Sequence, residues 1–315
     1  MGTQANYAGG KLIAVDWGTS RLRAWLVDGG GAAIAEADSD QGVGALSGGH
    51  EAVFEALVAD WPKVPAIMAG MVGSRQGWRE AAYVPCPATP AALAASFFRF
   101  STGGGRPMAI VPGLVFHAAW RDGDVIRGEE TQMIGMIDRE PAFAGTVIMP
   151  GTHSKWVRID RGTIVDFQTF ITGELFALLS EKSFLRHSVA GGGGDLAASP
   201  DFGLAIERTT GEALPFLASL FSVRTRQLLG NVSREHNLAY LSGLVIGGEI
   251  AAARYLGALG PGTAIRIIGS RSLARAYANA LEVAGFDDEA LDGSELVLDG
   301  LTHLARTIGF LEKAA

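Results

Sequence analysis

Asp16-Trp17-Gly18-Thr19-Ser20 brings a carboxylate, a glycine and two hydroxyls together in one short stretch. A glycine in such a turn lets the backbone approach a ligand closely, and Thr19 and Ser20 add donors. The Asp16 carboxylate suits another task. It does not bind phosphate directly, but it can hold a hydrated Mg²⁺ that bridges phosphate oxygens. The flanking residues explain how the turn is held. Leu12–Val15 is an apolar run entering it and Leu22–Val27 an apolar-rich run leaving it. Asp28-Gly29-Gly30-Gly31 makes the next turn, before Ala33–Ala37. This pattern predicts two consecutive β-hairpins.

Residues 146–170 repeat the design. Val147–Met149 enters a turn containing Gly151, Thr152 and His153, Trp156–Ile159 leaves it, and Thr163–Phe170 follows an Asp-Arg-Gly turn. One module used twice, each copy carrying a Gly-Thr loop, predicts two similar domains sharing a nucleotide. This arrangement resembles the sugar kinase, Hsp70 and actin superfamily. A third element of the set is Ala264–Ile268, an apolar strand that ends in Gly269-Ser270 at the start of a helix over 272–284, a sound place for a nucleotide. Ahead of it, the long helix over 234–256 carries Gly243, Gly247 and Gly248, which allow close helix packing or close approach of an adenine. Gly191–Gly194 lacks a strand–helix context and is a weak phosphate signal.

Between the two loops lie two further stretches with chemical potential. The apolar strand at Ala66–Met71 opens into a glycine-rich loop carrying Ser74 and Arg75. Arg127-Gly128-Glu129-Glu130 begins a helix whose apolar positions are Met133, Ile134, Met136 and Ile137. Acids in a first helical turn stabilise the helix through its dipole. At a domain junction near phosphates, a carboxylate is also where a kinase needs a base to orient a hydroxyl. The helix starting at Thr172-Gly173-Glu174 has a capping pattern. Near the end, Glu295–Leu298 is expected to be a last strand and Leu301–Leu311 a closing helix.

Composition narrows the class. The 315 residues suit two domains, and 48% hydrophobic with 19% charged residues indicates a substantial core. The net charge of −7 with no basic run argues against nucleic acid as a partner. The single cysteine, Cys86, fits a reducing cytoplasm and an inert thiol. No leader segment and no membrane span are expected. The six histidines show no metal-ligand spacing, and there is neither a GxGxxG nor a GxxxxGK[ST] motif.

In combination, Asp16–Ser20, Met68–Ser74, Arg127–Gln132, Met149–Trp156 and Thr172–Leu175 resemble the 2-dehydro-3-deoxygalactonokinase family, in the family's order and across nearly the whole chain. The resemblance implies an α/β, two-domain actin-like ATPase (ribonuclease H-like) fold with the nucleotide in the interdomain cleft. The domains would span 11–135, with the first phosphate loop and the substrate loop, and 136–315, with the second phosphate loop and the adenosine segment. It implies ATP- and Mg²⁺-dependent phosphorylation of the 6-hydroxyl of 2-dehydro-3-deoxy-D-galactonate, feeding galactonate breakdown. In this reading Gly18, Thr19, Ser20, Gly151, Thr152 and His153 hold phosphates, Gly269 and Ser270 border adenosine, and Asp16 holds the metal. Glu130 is the base, with Glu129 as the alternative. The substrate is an anion, so Ser74, Arg75, Arg127 and Lys155 are candidates for binding it. Pro150 departs from relatives that place an acid before the second Gly-Thr, which leaves Asp16 as the main carboxylate near the metal. Two rivals stand beside this reading: a kinase for another sugar or sugar acid, such as 2-dehydro-3-deoxygluconate, and a non-catalytic sugar-sensing ATP switch of the same fold. A homodimer is left open.

Overall fold

The computed structural model describes residues 7, 9–118, 121–191, 194–211 and 215–312. Two glycines of the 191–194 run, at 192 and 193, therefore lie outside the described residues. In chain order the elements begin β1 (Gly10–Trp17), β2 (Leu22–Asp28), β3 (Ala33–Ser39), α1 (His50–Leu57), β4 (Ala66–Ala69), β5 (Tyr83–Pro85) and α2 (Pro90–Ala95). They continue β6 (Phe98–Ser101), β7 (Pro107–Ile110), β8 (Gly113–Ala118), β9 (Arg121–Ile126), α3 (Glu129–Arg139), β10 (Ala144–Met149), β11 (Ser154–Asp160) and β12 (Thr163–Phe170). The last group is α4 (Thr172–Ala177), α5 (Pro200–Thr210), α6 (Phe216–Leu220), α7 (Ser222–Gly230), α8 (Arg234–Tyr255), β13 (Ala264–Gly269), α9 (Arg271–Val283), β14 (Glu289–Asp292) and α10 (Gly293–Thr307).

The chain forms two compact units. One comprises Met1–Phe143, Asp160–Asp166 and Gly293–Ala315, and the other Ala144–Ile159 and Phe167–Asp292. The units are not contiguous in sequence, so a single division near residue 135 misplaces the C-terminal segment, which groups with the first unit.

The first unit is built on a six-stranded sheet of order β3-β2-β1-β4-β7-β6, with a separate three-stranded sheet, β5-β8-β9. Strand β1 pairs antiparallel with β2, which pairs antiparallel with β3. On its other side β1 runs parallel to β4, and β4 parallel to β7. Leu12, Ile13, Ala14 and Val15 are all fully buried. Both faces of the strand are covered, which is why it reads as a continuous apolar run rather than an alternating one. Ile13, Val15, Trp17, Phe54, Met68 and Ile110 belong to the core of this unit.

The second unit uses a five-stranded sheet of order β12-β11-β10-β13-β14, with β10 parallel to β13 and β13 parallel to β14. The order 12-11-10-13 reproduces 3-2-1-4 of the first unit. The repeat seen in the sequence is therefore a repeat of topology, with a strand–turn–strand at each corresponding place.

The expected strand at Glu295–Leu298 is absent: these residues lie in α10. Leu296, Val297, Gly300, Leu301, Leu304 and Ala305 are buried, a spacing that gives one helical stripe. The short run Glu-Leu-Val-Leu reads as β only because it is too short to display that period. Helix α10 packs on α3 with almost no space between the backbones. A Cβ added at Gly300 would fall 1.9 Å from the Thr131 carbonyl oxygen, and one at Gly135 would fall 2.1 Å from that of Leu296. Gln132 Nε2 also donates to the Gly293 carbonyl (3.0 Å). Neither backbone can retreat, so Gly300→Ala should destabilise the protein by about 3 kcal/mol, the upper end for overpacking a filled interface. Urea unfolding of the variant checks this.

Candidate active site

In the first unit the turn after β1 is closed by Gly18 N donating to the Arg21 carbonyl (2.9 Å). It is buttressed from behind, since Val43 N and Gly44 N donate to the carbonyls of Gly18 and Thr19 (3.0 and 2.9 Å). The side chains of Thr19 and Ser20 are exposed. Asp16, at the end of β1, accepts from Arg23 Nη2 through Oδ2 (2.7 Å), and its other oxygen lies toward Gly70. Gly70 has φ +94°, and a Cβ there would stand 2.8 Å from the Trp17 carbonyl oxygen and 3.6 Å from Asp16 Oδ1. Gly128, at φ +110°, would place a Cβ 3.4 Å from Gly70 Cα. Positive φ favours glycine at both positions, and at Gly70 the Trp17 carbonyl leaves no room for a Cβ as well. The consequence is a convergence: the Asp16 turn, the loop after β4 and the N-terminus of α3 meet at these two glycines.

Around that point are buried polar groups with no partner among the described residues. They are Ser74 Oγ, Arg127 Nε and Nη1, and Glu130 Oε1. Arg127 is held firmly by what remains of its guanidinium. Nη2 donates to the Ala81 carbonyl (2.8 Å), and the group lies over the Tyr83 ring at 4.3 Å from its centroid. A Cβ at Gly73 would come 2.9 Å from Arg127 Nη1, so this cation borders the loop that carries Ser74. The Glu130 side chain is fully buried and turns back so that Oε2 accepts from Gly128 N (2.6 Å). Burial, reinforced by the neighbouring Glu129 carboxylate, pushes its carboxyl up to about 8, against the backbone hydrogen bonds and Arg127, which pull it down. Glu129 is partly exposed and accepts from Arg127 N through Oε2 (3.2 Å). Orphaned buried groups are rare in native proteins and each calls for an explanation. Orphaned atoms on three side chains, carried by elements that meet the Asp16 turn, read as a site built to receive a polar ligand.

Arg75 lies differently. Its side chain is 84% exposed and its Nε faces Glu80 Oε1 at 3.5 Å, an ordinary solvated pair. Cys86, whose thiol is pushed up to about 12 by burial and then by Asp166, stays protonated near neutral pH and is no nucleophile.

In the second unit the Gly151–His153 turn follows β10. Its partner is the start of α4: Glu174 N donates to the Thr152 carbonyl (3.0 Å), and a Cβ at Gly173 would lie 2.5 Å from the Gly151 carbonyl oxygen. His153 Nε2 is 2.6 Å from Glu174 Oε2. Lys155 is buried, with Nζ donating to the His153 carbonyl (2.9 Å); this ammonium braces its own loop. Gly269 ends β13 against Pro150, 3.4 Å from an added Cβ, and Ser270 is the N-cap residue of α9. Next to this loop is a cavity of about 280 Å³ lined by Gly151, Gly173, Leu196, Val245, Ile246, Ser272, Ala276 and Tyr277, among others. It is mostly apolar with a few polar groups, the usual make-up of a nucleobase or cofactor pocket.

The glycines of α8 do not face this cavity. Gly243 and Gly247 are pressed against α5, where a Cβ would meet Phe202 O at 2.4 Å and Thr209 Oγ1 at 2.0 Å, and Gly248 is pressed against Phe216. Of the two uses allowed to them, helix packing is the one realised. The residues of α8 that line the cavity are Ser242, Val245 and Ile246. Their ordinary types gave no signal of that role.

The fold is that of the actin-like ATPases and sugar kinases. It aligns over 96% of this chain with the activator of 2-hydroxyisocaproyl-CoA dehydratase from Clostridium difficile with bound ADPNP, at 11% identity and a TM-score of 0.50. Within that class, residues 16–304 match the family model described as 2-keto-3-deoxy-galactonokinase, and the chain belongs to this family. It is 40% identical over 305 residues to the probable 2-dehydro-3-deoxygalactonokinase DgoK1 of Rhizobium meliloti (strain 1021), covering 95% of this chain and 98% of that one. It is 37% identical over 306 residues to the 2-dehydro-3-deoxygalactonokinase of Escherichia coli (strain K12), with the same coverage. A crystal structure of a Sinorhizobium meliloti protein provisionally assigned the same activity superposes with a TM-score of 0.87 at 39% identity, over 94% of this chain and 99% of that one. No helix among the described residues is long and apolar enough to cross a membrane.

Proposed function

We propose that this enzyme transfers the γ-phosphoryl group of ATP to the 6-hydroxyl of 2-dehydro-3-deoxy-D-galactonate, in the cytoplasm, as a step of galactonate breakdown. The observation that carries the reading is the set of buried polar atoms of Ser74, Arg127 and Glu130 that lack partners, in the loop after β4 and at the start of α3, which meet the Asp16 turn at Gly70 and Gly128. A sugar acid offers what each needs: a carboxylate for Arg127, hydroxyls for Ser74, and a hydroxyl proton for Glu130. In the second unit, the cavity beside Gly151 accepts adenosine, and the backbone of Gly151–His153 holds phosphate.

Asp16 fits Mg²⁺ as that ion is usually held, by one or two carboxylates together with waters and substrate phosphates. Bound there, Mg²⁺ supplies neutralisation of the phosphate charge. The chain's own residues do the rest. Arg127 and Ser74 fix the sugar acid, and Glu130 takes the proton of the 6-hydroxyl as its oxygen forms the new bond to phosphorus and the bond to ADP breaks. The transition state of phosphoryl transfer is loose, so positioning contributes more than base strength. Gly18, Thr19 and Ser20 contribute donors from the first loop.

Purified protein should release ADP from Mg-ATP with 2-keto-3-deoxy sugar acids and not with neutral sugars. Comparing the galacto and gluco epimers in the same assay identifies the natural acceptor. A response to neutral sugars alone would remove the carboxylate role from Arg127. No response to any acceptor, with ATP still bound, would favour a sensing switch.

A further inference from the structure

Glu249 is a buried carboxyl in the C-terminal half of the apolar helix α8, and the chemistry above does not use it. Its hydrogen bonds lead toward the Gly151–His153 turn and the cavity beside it. Oε1 accepts from Ser154 Oγ (2.6 Å) and from Trp156 Nε1. Oε2 accepts from Tyr277 OH (2.7 Å). The hydroxyl of Thr172 bonds the same carboxyl. Ser154 and Trp156 open β11 directly after the Gly151–His153 turn. Thr172 begins α4, whose next residue, Gly173, is pressed onto that turn. Thr172 and Tyr277 themselves line the cavity.

A carboxylate has about four lone-pair sites, and here four side-chain donors from three different elements fill them. Holding a charge in an apolar helix is costly, and a well-packed hydrophobic cluster of the same size often stabilises a core as well or better. What the carboxyl adds is direction. It fixes the hydroxyls of Tyr277 and Thr172, and with them the cavity wall, relative to the strand that follows the phosphate turn.

We propose that Glu249 is a positioning residue for the nucleotide: through Tyr277 and Thr172 it sets the shape of the adenosine cavity beside Gly151. The inference rests on that cavity being the nucleotide site.

The test uses the full chain with ADP binding by calorimetry and steady-state kinetics in both substrates. Glu249→Gln keeps the shape but replaces one acceptor oxygen with a donor. It should raise the ADP Kd and the ATP KM about tenfold, roughly the effect of one lost hydrogen bond. The KM for the sugar acid should stay within about twofold, since its site lies in residues Glu249 does not touch. Tyr277→Phe removes only the hydroxyl and should produce the same change. The double variant should be no worse than Glu249→Gln alone, because both act through one contact. Should Glu249→Gln fail to fold, Tyr277→Phe and Thr172→Val carry the same expectation. A lower melting temperature with unchanged ADP affinity would make Glu249 purely structural and overturn the proposal, as would equal losses for both substrates. Ala276→Trp separates this from the reading beneath it. The bulky ring fills the cavity and should abolish ADP binding; if ADP binds as before, the cavity is not the nucleotide site and the Glu249 assignment falls with it.

Discussion

Glu130→Gln should lower turnover by about 10²-fold or more, the usual contribution of a positioned general base, while ADP affinity stays within about twofold. Glutamine keeps the side chain's length and an oxygen that can accept from Gly128 N, as Glu130 Oε2 does at 2.6 Å. The start of α3 is therefore preserved, and what disappears is the capacity to take a proton at Oε1. Near-normal turnover would sink the assignment and turn attention to Glu129, which is partly exposed and lies one residue earlier.

Two pH effects follow from the same carboxyl, with opposite signs. Burial pushes it up to about 8 from a usual value of 4.5, so it is mostly protonated at pH 7. A base must be ionised, so kcat/KM for the sugar acid should climb as pH rises from 6 and level off above about 8. In Glu130→Gln this rise should be gone. Stability moves the other way. The folded-state value lies above the unfolded one, so the native state binds the extra proton between them. The stabilisation is fully present below about 4.5 and is lost as pH rises through about 8. The glutamine variant carries no such loss. Its melting temperature relative to the parent should increase between about pH 5 and pH 8 and level off above that, a difference that scanning calorimetry reads directly. The proposed base is thus ionised where its burial costs the fold most, the pattern expected when an active site is held against its own folding preference.

Much of this architecture is visible in the chain itself, and the parts that are not share a physical cause. The strands β1 and β10 announce themselves because burial on both faces leaves a continuous apolar run, and the repeated turn after each marks the two halves. The N-terminus of α3 is legible from Gly128 and the paired acids. What stayed hidden depends on residues far apart in sequence. Nothing local says that α10 packs on α3 and so joins the first unit; the only trace is a small residue in each helix, Gly135 and Gly300. Gly243 and Gly247 carry the same ambiguity, since close approach of another helix and of a ligand make the same demand on a side chain. Glu249 could have been singled out, as one acid in an apolar stretch that reads Gly-Leu-Val-Ile-Gly-Gly-Glu-Ile-Ala-Ala-Ala. Its partners, drawn from β11, α4 and α9, could not.

The arginine choice shows what geometry adds to residue type. Arg75 and Arg127 are equally good candidates as letters, but only Arg127 is buried in part with two guanidinium nitrogens lacking partners. Its plane is already set by the Ala81 carbonyl and the Tyr83 ring, so little side-chain freedom remains to be lost when an anion arrives. Arg127→Ala should therefore raise the KM for the sugar acid about 10²-fold, the loss of a charge-assisted hydrogen bond at a desolvated site. The ATP KM should not move. Arg127→Lys should recover little, because an ammonium cannot reproduce the fixed directions of the guanidinium N–H groups or its stacking on Tyr83. A methyl ester of the sugar acid sharpens the test. The parent enzyme should prefer the free acid strongly, and Arg127→Ala should treat acid and ester almost alike, since the group that distinguishes them is gone. If the variant keeps the preference, or if only the ATP KM changes, the substrate carboxylate is read elsewhere and the unpartnered nitrogens of Arg127 serve another ligand.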